Sequence, residues 1–98
     1  MDQPDPIIHQ PVRLKIMSAL RVLPEGEMIE FVRLKAIVAA TEGNLGAHVA
    51  TLEEAGYVTV EKDFVAKRPR TRIALTRKGR RAFEEYVAYL RDIIDAAE

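Results

Sequence analysis

At Gly56 the sequence changes its period, and this change constrains the fold more than any other feature. Before it, in "EGNLGAHVATLEEAG", Leu45, Val49 and Leu52 recur at steps of four and three. That is the spacing of one buried helical face. After it, "YVTVEKDFV" begins to alternate and is rich in β-branched and aromatic residues, as a strand is. A glycine at the joint supplies the helix stop. "TRIALT" repeats the strand pattern, with Ile73 and Leu75 inward and Arg72 and Ala74 outward. Between the two strands "AKRPR", built on Pro69, predicts the turn. A helix therefore runs into a β-hairpin whose tip is basic.

Upstream, Pro11 suits the first turn of a helix, because its φ is fixed and it has no N–H to lose. Ile16, Leu20 and Leu23 share one face, Leu14 and Met17 widen it, and Pro24 and Gly26 stop it, so a helix is expected over about 10–23. "GEMIEF" reads as a short strand or an extended link. Residues 31–40 read as a second helix with Phe31, Leu34, Ile37 and Val38 inward, and Thr41 as the N-cap of the next helix. Two short helices joined by a tight turn form the helix-turn-helix pattern. Thr76 caps a last helix over about 77–97.

Ninety-eight residues make one domain, whose modest core is the kind a partner subunit often helps to stabilise. The absence of cysteine excludes disulfides, zinc–thiolate sites and thiol redox sensing. No apolar run approaches the roughly 20 residues of a membrane helix, and "MDQPDP" carries no signal-peptide pattern, so a soluble cytoplasmic protein is expected. The formal net charge is zero, yet residues 62–81 hold nine basic residues and one acid, a local net of +8 against −8 for the remainder. A dense basic segment attracts polyanions through its own field.

Helix, short strand, two helices and a hairpin is the winged-helix order. The run Asn44-Leu45, His48, Leu52-Glu53, Gly56-Tyr57-Val58, then a charged wing, then Leu75-Thr76 with Gly79-Arg80, resembles winged-helix transcription regulators related to the MarR and ArsR families. "PVRLKIMSAL" resembles their first helix, and the likeness spans roughly residues 7–90. It implies an α+β fold, mainly α: a winged-helix core over 7–76 and a C-terminal dimerisation helix over 77–97, one domain in all. It also implies a recognition helix in the major groove and a wing on the minor groove or its flanking phosphates.

The residues agree with that implication. A recognition helix needs one buried face and one polar face with short side chains. Opposite Leu45 lie Glu42, Gly43, Asn44, Ala47, His48 and Thr51, preceded by the cap Thr41. Asn44 offers a donor and an acceptor to an adenine edge, Ala47 a methyl to thymine, and His48 and Thr51 a base or phosphate contact. Gly46, often serine in the family, reads as room for close packing of the second helix on the third. Lys67, Arg68 and Arg70 form the wing tip and Arg72 points outward behind them, all as DNA contacts. Some of Arg77, Lys78, Arg80 and Arg81 are expected to touch phosphates, others to pair with Glu53, Glu54 or Glu61.

In the last helix Phe83, Val87, Leu90, Ile94 and Ala97 step by four, three, four and three, a heptad seam that reads as a homodimer interface. A two-fold dimer would meet a pseudo-palindromic operator in double-stranded DNA. His9 falls in the lead-in to the first helix, near that interface. No Ser/His/Asp pattern, phosphate loop or metal-ligand cluster is present, so neither catalysis nor a cofactor or metal is expected. The competing class is a winged helix used as a protein-interaction or assembly module. Such an interface would favour aromatic anchors on the third helix, where the sequence has none.

Overall fold

The computed structural model describes residues 3–97. Helix α1 (Pro11–Arg21) is followed by strand β1 (Met28–Glu30), helices α2 (Phe31–Val38) and α3 (Glu42–Glu54), strands β2 (Val58–Val65) and β3 (Arg68–Leu75), and helix α4 (Arg77–Ala96). The three strands form one antiparallel sheet in the order β1-β3-β2. This is the mainly helical α+β winged helix-turn-helix that the sequence predicts, and "GEMIEF" does supply a strand.

The core is assembled from one stripe per element. Ile16, Met17 and Leu20 of α1, Leu34 of α2, Leu45 and Leu52 of α3 and Ile73 of β3 are fully buried together with Ile8 from the N-terminal segment. Ile37 does not join them and is 54% exposed. In a helix of eight residues, Phe31, Leu34 and Val38 complete the stripe, and Ile37 falls roughly 90° from its centre.

Three of the four helices, α1, α3 and α4, begin at a side-chain cap, while α2 starts directly after β1 with no side-chain cap from Glu30. Gln10 accepts from the Arg13 amide, Thr41 from that of Asn44, and Thr76 from that of Gly79. The ends of α2 and α3 both turn through the left-handed region, with different residues. At α3, Gly56 takes φ +82°, its amide donates to the Glu53 carbonyl, and that of Tyr57 donates to Leu52. This is the Schellman closure. At α2 the same job falls to Ala39 at φ 56°, where a Cβ is unfavourable.

The hairpin turn is not built on Pro69. Ala66 and Lys67, at φ 51° and 68°, form a two-residue turn with both central residues left-handed. Pro69 sits in β3 opposite Phe64, one pair in from the closing pair Val65–Arg68. A two-residue turn makes the closing pair the hydrogen-bonded one, so the Pro69 nitrogen points away from β2. β1 reaches only Arg72 through Ala74, so the lost N–H is needed by no neighbouring strand.

One close approach joins these parts. Thr76 donates its hydroxyl to the Gly56 carbonyl at 2.7 Å, and its amide donates to the Tyr57 carbonyl at 3.0 Å. Gly79, in the first turn of α4, lies so near that a Cβ there would stand 2.1 Å from the same Tyr57 oxygen. Gly79→Ala is therefore expected to lower stability by about 2–4 kcal/mol in chemical denaturation, since backbone must move to admit the methyl. Ala39→Gly is expected to raise it by about 0.5–1 kcal/mol, by relieving the left-handed alanine.

Candidate nucleic-acid interface

The surface of interest has two walls, α3 and the wing. Leu45, Val49 and Leu52 turn inward, which leaves Glu42, Gly43, Asn44, Ala47 and Ala50 exposed. Gly43, Gly46, Ala50 and Glu53 of α3 face Val60, Lys62 and Thr71 of the hairpin across an open groove of about 750 Å³. The glycines do not serve internal packing: a Cβ at Gly43 or Gly46 would meet nothing within 4 Å. The reading of Gly46 as a close contact between α2 and α3 is thus corrected. Glycine in a helix costs about 1 kcal/mol relative to alanine, and here the fold gains no contact in return.

The predicted α3 residues divide in three. Asn44 and Ala47 stand exposed on the outer face, beside Gly43 and the cap Thr41. Thr51 commits its hydroxyl proton to the Ala47 carbonyl at 3.2 Å, so its free lone pairs can only accept. His48 turns toward α1, where its Nδ1 lies 3.0 Å from Arg13 Nη1. A guanidinium only donates, so Nδ1 accepts and the ring proton sits on Nε2. Burial, and then the charge of Arg13, hold the His48 pKa below its ordinary 6.5. Arg13 is itself anchored, donating Nε to the Ile7 carbonyl at 2.5 Å. The His48 ring is thus held neutral with its proton on Nε2. Arg13 was missed at the sequence level, because a lone arginine 35 positions from His48 carries no local signal.

The wing cations divide as well. Arg70 makes a bidentate pair with Asp63, directly opposite on β2, at 2.9 and 2.7 Å. That pairing holds the Asp63 pKa below its usual value. Arg72 lies in register with Glu61 on one side and Glu30 on the other, and donates to Glu61 at 2.6 Å. Both arginines tie the two strands of the hairpin together. Lys67 in the turn and Arg68 beside it are exposed and have no ion pair among the described residues.

The first turns of α4 are occupied too. Arg77 pairs with Glu25 at 3.7 Å, not with Glu53, Glu54 or Glu61 as expected for this cluster. The Lys78 ammonium lies 5.8 Å from the centre of the Tyr57 ring. Arg80 donates to the carbonyls of Arg21 and Leu23, closing the end of α1. Of the nine basic residues in the cluster, Lys62, Lys67, Arg68 and Arg81 keep no such partner among the described residues.

The predicted seam of α4 splits along its length. Phe83 is 7% exposed and belongs to the chain's own core, as does its neighbour Tyr86. Val87 and Leu90 pack partly on that core, while Ile93, Ile94 and Ala97 are exposed. His9 places Nδ1 2.8 Å from the Tyr86 hydroxyl. Tyr57 donates to Asp5 at 2.5 Å, and burial, followed by this carboxylate, pushes its pKa up to about 12. The N-terminal segment is thereby fastened to α4. Among the described residues, no helix is long and apolar enough to cross a membrane.

A family model described as "Winged helix DNA-binding domain" matches residues 12–94. An uncharacterized protein of Methanocaldococcus jannaschii is 41% identical over 81 residues, covering 83% of this chain and 85% of that one. A solved transcriptional regulator homologue from Pyrococcus horikoshii OT3 superposes with a TM-score of 0.83 at 32% identity, over 94% of this chain and 88% of its own. NadR, solved in complex with 4-hydroxyphenylacetate, gives 0.68 at 25% identity over 95% and 66%. A Salmonella typhimurium protein described as a putative transcriptional regulator, ytfH, shares the fold with a TM-score of 0.72 at 22% identity, over 92% and 76%.

The His48–Arg13 contact favours the neutral imidazole, so its contribution to stability is fully present above pH 6.5 and is lost as pH falls through the lower folded value. Melting temperature followed across that range should therefore decline more steeply with acid for the parent chain than for His48→Gln. Equal pH dependence in the two would place His48 outside the pair.

Proposed function

The chain belongs to the family of winged helix DNA-binding domains, and on that premise we propose that it works as a homodimeric, sequence-specific regulator of transcription. The observation that carries the reading is the pairing of α3 with the wing. Asn44 and Ala47 stand exposed on α3, and across the groove beside that helix the hairpin runs past Lys62 and Thr71 to two cations, Lys67 and Arg68, that no carboxylate neutralises among the described residues.

In this reading α3 enters the major groove. Asn44 reads a base edge, Ala47 meets a thymine methyl, and Gly43 lets the helix start approach a phosphate. The Nε2–H of His48 donates to a phosphate or a base acceptor. Lys67 and Arg68 reach the phosphates that flank the adjacent minor groove. Arg70 and Arg72 act one step removed, by holding the hairpin straight through Asp63 and Glu61. Glu42 and Glu53 on the groove wall weaken indiscriminate attachment, so the fit of α3 to the bases decides where the protein rests.

Dimerisation rests on the outer half of α4. Ile93 and Ile94 are 50% and 62% exposed, and Leu90 extends the same apolar surface toward the core. A second copy would cover them and set two recognition helices about 34 Å apart. Phe83 contributes by fixing α4 to its own domain.

Selection from a pool of random duplexes is expected to enrich a pseudo-palindrome with half-sites about one helical turn apart. Binding without an enriched motif would refute sequence-specific reading. On the enriched site, Asn44→Ala should cost about 1–3 kcal/mol of discrimination at one base pair, with a smaller loss on random DNA. An equal loss on both would remove Asn44 from base reading. Leu90→Glu with Ile94→Glu should sediment as a monomer, whereas a surviving dimer would refute this interface.

A further inference from the structure

Phe64 is the most exposed of the large apolar side chains of the wing. It is 73% exposed and lies beyond the reach of the core. Strand alternation puts it on the same face of the hairpin as Val60 and Lys62, the face that walls the groove beside α3. Its cross-strand partner is Pro69, also exposed, so the pair makes an apolar platform about 7 Å behind the turn. Lys62 lies beside that platform on the same face, Lys67 stands in the turn beyond it and Arg68 projects from the opposite face of the hairpin; none of the three has an ion pair among the described residues. An exposed aromatic with unneutralised cations beside it and at the turn beyond suits a polyanion that also offers apolar surface. DNA does so through its sugars and base faces.

The dimensions of the hairpin add a constraint. An undeformed minor groove is about 6 Å wide. Two strand backbones alone stand about 4.8 Å apart, before their side chains are added. The wing therefore cannot enter a standard groove beyond the Lys67 and Arg68 side chains. Apolar wedges that unstack a base step open the minor groove and bend the duplex toward the major groove. On the reading of the chain as a DNA-binding regulator, we propose that Phe64, backed by Pro69, is such a wedge: it presses on the sugar and base wall of the minor groove and opens it, while Lys67 and Arg68 hold the flanking phosphates. The wing would then favour flexible pyrimidine–purine steps at positions that no side chain reads by hydrogen bonding.

The test uses the full chain and the duplex recovered from random-sequence selection, with 2-aminopurine placed at the step facing the wing and a fluorophore pair at the duplex ends. The parent protein should raise 2-aminopurine fluorescence and shorten the end-to-end distance. Phe64→Ala should bind at least about tenfold more weakly and lose both signals, with an unchanged salt slope, because an apolar contact and no phosphate contact is removed. Phe64→Leu keeps a wedge and should retain most of both signals. Melting curves identical to the parent's are expected for both variants, given the exposure of Phe64.

Phe64→Ala binding within about twofold of the parent, with the same fluorescence and bend, would overturn the wedge while leaving DNA binding intact. A changed sedimentation coefficient for Phe64→Ala without DNA would assign the platform to a second copy of the chain and also overturn it. Failure of the parent to bind any duplex would fall on the DNA-binding reading itself.

Discussion

The Tyr57 carbonyl is where this fold is closed. It accepts the Thr76 amide, and the first turn of α4 packs so tightly against it that only glycine fits at position 79. Thr76 meanwhile ties its hydroxyl to the Gly56 carbonyl and caps α4 through Gly79. Four residues thus lock the end of α3, the start of β2, the end of β3 and the start of α4 into one joint. The joint fixes how the wing leaves the domain relative to α3, and hence the groove between them. It also fixes where α4 points, and so where its exposed isoleucines stand.

Charge follows from the same geometry. The sequence gathers a local +8 into residues 62–81, which reads as one polyanion-binding patch. Folding divides that charge among different tasks. Arg70 and Arg72 fall in register with Asp63 and Glu61 and stiffen the hairpin, Arg80 closes α1, Arg77 meets Glu25, and Lys78 covers Tyr57. Among the described residues, the cations of this run left without a partner are Lys67 and Arg68 at the wing tip, Lys62 on the groove wall and Arg81 on α4. A basic run in sequence is therefore a poor count of phosphate contacts, because strand register decides which arginines face a carboxylate.

Much of the fold was legible because it is locally encoded. The caps at Thr41 and Thr76, the stop at Gly56 and the stripe Leu45, Val49, Leu52 each lie within one element, and each appears in the structure where the sequence places it. The misreadings have a common origin in contacts between distant segments or in backbone conformation. Pro69 drew the turn to itself, yet the left-handed pair Ala66–Lys67 makes it, with neither the glycine nor the asparagine that usually marks such a turn. The sequence places Gly46 at a packing position, but it faces open space. His48 pairs with Arg13 across two helices, which no spacing rule reveals. The seam of α4 is regular in sequence, but its first turns are already claimed by the domain's own core.

Lys67 and Arg68 carry no ion pair among the described residues, whereas Arg70 and Arg72 are paired within the wing. The most direct test is the salt dependence of DNA binding for Arg68→Ala and Arg72→Gln, both checked for folding by melting. The account predicts that Arg68→Ala makes the slope of log affinity against log salt shallower by about one per subunit. It predicts that Arg72→Gln lowers thermal stability and leaves the slope of the parent unchanged. An equal flattening of the slope by Arg72→Gln would contradict the division of charge described above.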